Sequence, residues 1–190
     1  METKSIIIAG VGGQGSLLAS KLLGHLLVEQ GCDVKVSEVH GMSQRGGSVV
    51  TYVRYGSKVS SPVIDKGEAD YIVSFELLEA ARWLPFLKKD GQIVTNIQQI
   101  DPMPVITGAA VYPEDLVDKL KNSGAKVDAL DCLKLAEEAG SAKAVNLVLM
   151  GRLSHYFDLP EEAWMRSLEA NVPAKFLELN KKAFELGKNA

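Results

Sequence analysis

The feature that most constrains the fold is an apolar run at residues 5–9 that leads directly into a glycine-rich motif at residues 10–15. A short continuous apolar run bounded by glycine is typical of a strand buried on both faces of a sheet. The amphipathic pattern of residues 14–30 predicts that a helix follows the motif, and Gly31 marks its end. A buried strand, a glycine turn and a helix in this order predict an α/β fold.

The same alternation continues along most of the chain. Further strands are predicted at residues 33–39, 48–55, 71–74, 91–96 and 126–130, and further helices at residues 76–87, 113–122, 143–157, 161–170 and 173–187. Pro102 and Pro104 predict a loop over residues 100–104, because closely spaced prolines disfavour helix and central strand. A tight turn at Gly56 and Ser57 predicts that residues 58–64 return antiparallel, which implies a mixed sheet.

These elements predict a three-layer architecture, because alternating strands and helices place helices on both faces of a sheet. The expected fold class is α/β, Rossmann-like, with a mixed, mostly parallel sheet and a helical C-terminus. The length of 190 residues suits a single domain over residues 1–190, with a helical C-terminal extension over about residues 143–190.

The charge balance argues against several classes of partner. Lys and Arg number 21 and Asp and Glu number 24, so the net charge is −3. A chain this close to neutral has no overall field that would draw it to nucleic acid or to an anionic membrane. The apolar run near the N-terminus is too short for a signal peptide or a membrane span, so we expect a cytoplasmic protein.

Cysteine and histidine are scarce, and this limits the metal chemistry of the chain. It has two cysteines, Cys32 and Cys132, and three histidines. An iron–sulfur cluster of the common type needs four cysteine ligands, and the chain has no Cys-x-x-Cys pair that would nucleate a zinc site. Two small thiols without a disulfide are the expected state of Cys32 and Cys132, and no metal site is predicted.

The first motif, residues 10–15, fits Gly-x-Gly-x-x-Gly in the context that this pattern requires. Gly10 permits a tight turn, Gly12 and Gly13 let a ligand approach the backbone, and Gly15 permits close packing of helix on strand. The helix N-terminus would offer free N–H groups to an anion, and Gln14 adds an amide that donates and accepts. Three interpretations remain open: a nicotinamide or flavin dinucleotide, another phosphate-bearing ligand, or glycines that serve packing alone.

A second polar, glycine-rich loop follows the next predicted strand. Glu38, at the end of that strand, lies roughly where a dinucleotide site places an acid for the ribose hydroxyls. The loop then departs from that pattern. Loops at the carboxyl ends of strands line ligand crevices, so we predict a ligand or partner contact, with a solvated turn as the alternative. The candidate residues are His40, Ser43, Gln44, Arg45, Gly46 and Gly47.

Other polar residues carry weaker signals. Glu76 and Glu79 lie at helical spacing and are expected on a solvated helix face. Asn146, in an otherwise apolar helix, is expected to make a structural hydrogen bond. Trp83 and Trp164 are expected in the core or at a partner interface. No nucleophilic triad and no acid–base pair is apparent, so no catalytic residue is predicted and redox chemistry would have to come from a cofactor or another chain.

The two glycine loops resemble those of the gamma domain of the 2-oxoacid:ferredoxin oxidoreductases, and most closely the branch that acts on indolepyruvate. The resemblance is carried by residues 6–15 and 38–50. It continues through residues 60–64, 67–71, 75–80 and 146–151, and so covers most of residues 5–155. The C-terminal helices depart most from the family pattern.

The resemblance implies a subunit of an enzyme that oxidatively decarboxylates an aryl 2-oxo acid, forms an acyl-CoA and passes electrons to ferredoxin. It implies thiamine diphosphate, Mg²⁺ and [4Fe-4S] clusters on a large (alpha) partner subunit, with this chain inactive alone. The small subunit would help complete the active site and the CoA region. Residues 10–15 would then face a cofactor, and the loop with His40 and residues 43–47 would face substrate, CoA or the partner. Pyruvate, 2-oxoglutarate and branched-chain 2-oxoacid enzymes remain alternatives, as does a free-standing dinucleotide-binding protein.

Overall fold

A computed structural model describes residues 2–38 and 47–190 of the chain. Within them, six strands form one sheet in the order β2-β3-β1-β4-β5-β6. The strands are β1 (Lys4–Val11), β2 (Asp33–Glu38), β3 (Ser48–Gly56), β4 (Ala69–Ser74), β5 (Leu87–Asn96) and β6 (Lys126–Leu130). The helices are α1 (Ser16–Glu29), α2 (Leu77–Trp83), α3 (Met103–Ile106), α4 (Leu116–Asn122), α5 (Cys132–Ala139), α6 (Val145–Ser154), α7 (Glu161–Asn171) and α8 (Leu177–Lys188).

The sheet is mixed and mostly parallel, as predicted. β1 pairs in parallel with β4, β4 with β5, and β5 with β6. β3 runs antiparallel to both of its neighbours, β1 and β2. The source of the antiparallel pairing differs from the prediction, because residues 58–64 form no strand. Both edges of β3 are already occupied by β2 and β1, so the segment after Gly56 has no free edge on β3 to pair with.

Two segments that contain proline differ from their predicted form. α2 ends at Trp83, and a short 3₁₀ turn over Leu84–Phe86 follows instead of further α-helix. Pro85 lies in that turn and lacks the N–H that a continuing helix would use. The loop expected over residues 100–104 contains the start of the single-turn helix α3. Pro104 is tolerated there because the first turn of a helix needs no intrahelical N–H.

The apolar residues divide between the two faces of the sheet, which confirms the three-layer architecture. Ile6 and Ile8 of β1 contribute to a core with the buried sides of α1, α5, α6, α7 and α8. Ile7 and Ala9 point to the opposite face and pack with α2 and α4. This alternation within one strand is the period of two that a doubly covered sheet requires.

The helical C-terminus packs tightly on α6, which is buried along most of its length. Trp164 of α7 and Phe184 of α8 are both about 1% exposed, with ring centroids 5.5 Å apart. Trp83 packs on the other face against Tyr52 and Phe86. Trp164 therefore belongs to the core of this chain, and Trp83 is half-buried at the margin of the core on the other face. In the described part of the chain, none of the helices has the length and apolar character needed to cross a membrane.

Candidate functional site

The two glycine motifs meet at one edge of the sheet. Residues 10–15 lie at the carboxyl end of β1, and Gly47 lies directly before β3. β3 is antiparallel to β1, so its beginning stands beside the end of β1, with Val11 opposite Ser48. The N–H of Gly12 donates to the carbonyl of Gly47 at 2.9 Å. The structure thus brings the end of the second motif against the first, while His40, Ser43, Gln44, Arg45 and Gly46 lie outside the described residues.

Two glycines of the first motif serve packing. Gly15 precedes α1 with φ of +89°, and a Cβ there would lie 2.6 Å from Nδ2 of Asn146. A Cβ on Gly10 would lie 2.9 Å from Oε1 of Gln14 and 3.1 Å from Cβ of Phe75. Glycine is therefore required at both positions by close neighbours. Asn146 is buried and its Oδ1 accepts from the N–H of Leu147, in keeping with the structural role expected for it.

Gly13 differs from these two glycines because it faces open space. Its φ is +100°, and a Cβ built there would meet no atom of the described residues within 4 Å. A cavity of about 250 Å³ lies beside it, lined by Gly12, Gly13, Gly15, Ser16, Leu17, Val49 and Thr51. The first turn of α1 borders this cavity, and no described residue accepts a hydrogen bond from the N–H of Ser16 or Leu17. The cavity therefore offers backbone donors and the positive end of a helix, a combination that suits an anionic group.

Gln14 is occupied within the chain. Its Oε1 accepts from the N–H of Val11 at 2.7 Å, and its Nε2 donates to the carbonyl of Phe75 at 3.0 Å and to Oε1 of Gln98 at 3.3 Å. Nδ2 of Asn96 also donates to the carbonyl of Phe75 and to Oε1 of Gln98. The amide thus ties the glycine turn to the ends of β4 and β5, and it fixes the shape of the turn.

Glu38 lies at the same edge but far from the position of a dinucleotide-binding acid. In a Rossmann site that acid ends the strand beside β1. Here β3 separates β2 from β1, so Glu38 is two strands away, or about 10 Å across the sheet. Its Oε1 accepts from the Ser20 hydroxyl at 2.5 Å. A shallow cavity of about 350 Å³ adjoins this pair, lined by Ser20, Lys21, Gly24, Val36 and Glu38.

The prediction of a solvated face for Glu76 and Glu79 is wrong. Glu76 is 1% and Glu79 is 4% exposed. Glu76 precedes α2, and its carboxylate accepts from the N–H groups of Glu79 and Ile100 and from the hydroxyl of Tyr112. Burial and this hydrogen bond raise the pKa of Tyr112 above its ordinary range. The position of Glu76 in the sequence is a signal that could have predicted its role. A polar residue directly after a buried strand and before a helix is a candidate N-cap.

Glu79 connects α2 to the start of β3. Its Oε2 accepts from the hydroxyl of Ser48 at 2.5 Å, and its Oε1 accepts from Nε of Arg82 at 3.1 Å. Ser48 directly follows the second glycine motif. Glu79 therefore holds Ser48, the first residue after the second glycine motif, from α2.

The cysteines are not activated. Both thiols are free, as expected, and burial raises the pKa of Cys132 and of Cys32 above the usual value. A raised pKa leaves little thiolate at neutral pH, which is the reactive form. Across residues 2–38 and 47–190, no three His, Cys, Asp or Glu side chains converge to hold a metal ion.

Residues 5–190 match the family described as pyruvate ferredoxin/flavodoxin oxidoreductase. The chain belongs to this family. The resemblance predicted from the glycine motifs is confirmed, and with it the prediction of an oxidoreductase subunit. The chain is 45% identical to the indolepyruvate oxidoreductase subunit IorB of Thermococcus kodakarensis, over all of this chain and 96% of that protein.

Solved structures agree on the fold. The pyruvate oxidoreductase subunit PORC of Thermotoga maritima has a TM-score of 0.75 and 21% identity, over all of this chain and 97% of that chain. The 2-oxoglutarate:ferredoxin oxidoreductase of Magnetococcus marinus has a TM-score of 0.71 and 20% identity. The match spans all of this chain but only 31% of that one. A domain of this fold thus occurs both as a separate subunit and as part of a longer polypeptide.

Proposed function

We propose that this chain is the small subunit of an indolepyruvate:ferredoxin oxidoreductase that works in the cytoplasm. With a larger partner subunit it would convert an aryl 2-oxo acid and CoA to an acyl-CoA and carbon dioxide, passing two electrons to ferredoxin. The observation that carries the proposal is the 45% identity to an indolepyruvate oxidoreductase subunit over the whole chain. Identity to the structurally similar pyruvate oxidoreductase subunit is only 21%. The chain would act as one gamma-type domain over residues 1–190.

The donor set of the chain supports a division of labour with the partner. Two free cysteines, one of them fully buried, do not fit a [4Fe-4S] cluster, which takes four thiolates. Among the described residues, no three His, Cys, Asp or Glu side chains come together as a metal site. We therefore assign thiamine diphosphate, Mg²⁺ and the clusters to the large subunit, and no catalytic residue to this chain.

The cavity beside Gly13 is the part of this chain that fits an anionic cofactor group. Space at Gly13, the absence of a Cβ and N–H groups of α1 without an acceptor among the described residues suit a phosphate or pyrophosphate. We propose that this edge holds a phosphate part of CoA when the subunits are assembled. In that role Gly12 and Gly13 would admit the ligand, while Gly10, Gln14 and Gly15 hold the turn in shape. Gly47 would help form the wall of the site.

Replacing Gly13 with alanine tests this placement. We expect the apparent KM for CoA of the assembled enzyme to rise roughly tenfold, the equivalent of about 1.4 kcal/mol of binding. The matched control is Gly124→Ala, because Gly124 also has positive φ, at +87°, and open space around it. Both substitutions carry a similar backbone strain of about 1 kcal/mol. An equal KM for CoA in the two variants would contradict the placement.

A free-standing dinucleotide-binding protein is the second candidate, favoured by the open glycine turn itself. The two-strand separation of Glu38 from β1 counts against it, since the acid of a dinucleotide site ends the strand next to β1. Calorimetric titration of the isolated chain with NAD, NADP, FAD and CoA separates the candidates. Micromolar binding of NAD, NADP or FAD would favour the second candidate.

The substrate assignment is tested on the two-subunit enzyme. Reduction of ferredoxin is measured with indolepyruvate, pyruvate and 2-oxoglutarate, each in the presence of CoA. We expect kcat/KM for indolepyruvate to be at least about tenfold higher than for the other two acids. A preference for pyruvate or 2-oxoglutarate would replace indolepyruvate in the proposal and leave the subunit role intact.

A further inference from the structure

We propose that the loop between Ile100 and Tyr112, called the docking loop here, binds an apolar, base-rimmed surface on the large partner subunit. This inference rests on the proposed function. The loop leaves the sheet after β5 and carries three of the most exposed apolar side chains of the described residues. Met103 is 66%, Ile106 is 65% and Val111 is 86% exposed. Methionine and aliphatic side chains exposed together, rather than singly, mark an interaction surface.

After Asp101, the docking loop also lacks charge. Residues 102–113 contain no Asp, Glu, Lys or Arg, although 24% of the whole chain is charged. Most of these residues are exposed, so the absence of charge does not come from burial in the core. The centre of a protein interface is depleted in charged residues in the same way.

The loop is held in shape without help from a partner. The buried carboxylate of Glu76 accepts from the N–H of Ile100 at 3.1 Å and from the Tyr112 hydroxyl at 2.5 Å, which fastens both ends of the loop to one group. Tyr112 in turn accepts from the N–H of Leu78 at 3.0 Å. Inside the loop, the N–H of Ala110 donates to the carbonyl of Pro104 at 3.0 Å. A loop ordered before binding loses little conformational entropy when it docks.

The charges around the docking loop argue for the large subunit and against a second copy of this chain. Four exposed acids flank the uncharged segment: Asp101, Glu114, Asp115 and Asp118. They outnumber the two exposed bases that follow them in α4, Lys119 and Lys121. In a twofold dimer the same patch meets itself, so acidic rims would face each other and repel. A different protein with Lys and Arg around an apolar patch is complementary to this surface.

The location of the loop points to the same partner. Gln98, two residues before the loop, accepts from Nε2 of Gln14 in the glycine turn at 3.3 Å. The docking loop and the cavity beside Gly13 therefore share one edge of the sheet. A partner that brings its cofactors to the cavity approaches the loop at the same time.

The test uses the chain co-expressed with its large subunit, with affinity measured on the purified proteins. The double variant Met103→Asp, Ile106→Asp is expected to weaken binding of the large subunit roughly 30-fold, as loss of an interface centre does. The control is Val63→Asp, which places the same charge on a residue that is 54% exposed at the opposite end of β3. It is expected to change the affinity by less than about twofold. Thermal unfolding of each isolated variant checks that the chain is folded.

The acidic rim has its own variant. Glu114→Lys is expected to weaken binding several-fold at low salt and to reduce the salt dependence of the affinity, because it removes one long-range attraction. If this variant binds the large subunit more tightly, the proposal that basic residues surround the partner's apolar surface is contradicted.

The outcomes separate the inference from the proposed function. If the unmodified chain binds the large subunit and the double variant binds it equally well, the role proposed for the docking loop is wrong and the proposed function stands. If the unmodified chain does not bind the large subunit, both fail. If light scattering shows a dimer of the isolated chain that the double variant dissociates, a second copy occupies the loop and the inference is overturned.

Discussion

Replacing Gly151 with alanine is expected to lower the free energy of unfolding of this chain by about 3 kcal/mol or more. Gly151 lies in the middle of α6, and a Cβ there would overlap the carbonyl oxygen of Phe184 in α8. Because that atom belongs to the backbone, no side-chain rotation relieves the clash. The two helices must separate, and the packing of Phe184 is lost with them.

Two further substitutions give this prediction its controls, all measured by urea denaturation. Gly187→Ala creates the reciprocal clash with the carbonyl oxygen of Val148, but it lies next to the last residue of α8, so fraying should limit its cost to about 2 kcal/mol. Gly24→Ala, in α1, places its Cβ 3.9 Å from the nearest atom and should stabilise by about 0.5–1 kcal/mol. If Gly151→Ala also stabilises, the close approach of α6 and α8 is wrong.

Replacing Glu76 with alanine is expected to cost about 4 kcal/mol of stability, because three buried donors lose their acceptor together. The donors are the N–H groups of Glu79 and Ile100 and the hydroxyl of Tyr112. The helix cap of α2 and both ends of the docking loop depend on this one side chain. We therefore expect the loop of this variant to be cut by proteases before the rest of the chain.

The matched substitution Glu76→Gln is expected to cost about half as much, because its amide keeps one acceptor but turns N–H groups toward other donors. Glu178→Ala serves as the surface control. The side chain of Glu178 is 88% exposed, and its loss should change stability by less than about 0.5 kcal/mol. Similar costs for Glu76→Ala and Glu178→Ala would contradict the role assigned to Glu76.

The sequence is informative where local pattern decides the structure. The apolar run before Gly10, the period of the helices and the change to a helical C-terminus all depend on neighbours in the chain, and all are found in the structure. Strand pairing depends on which edges are free. Residues 58–64 look like a strand, but β2 and β1 already occupy β3 on both sides.

The candidate site was predictable only in part, for a related reason. The motif at residues 10–15 identifies the turn, and the structure adds which glycines are crowded by neighbours and which one faces open space. That distinction depends on Asn146, which is 131 residues from Gly15 in sequence, and on Phe75, which is 65 residues from Gly10. The burial of Glu76 depends on Tyr112 and Ile100, whose distance along the chain hides the contact.

The measurement that tests the central claim most directly is the activity of the separate and combined subunits. Indolepyruvate- and CoA-dependent reduction of ferredoxin is assayed with this chain alone, with the large subunit alone and with both. We expect no turnover by this chain alone and restored turnover that saturates as the chain is titrated into the large subunit. Turnover by this chain alone, or full activity of the large subunit without it, would contradict the account.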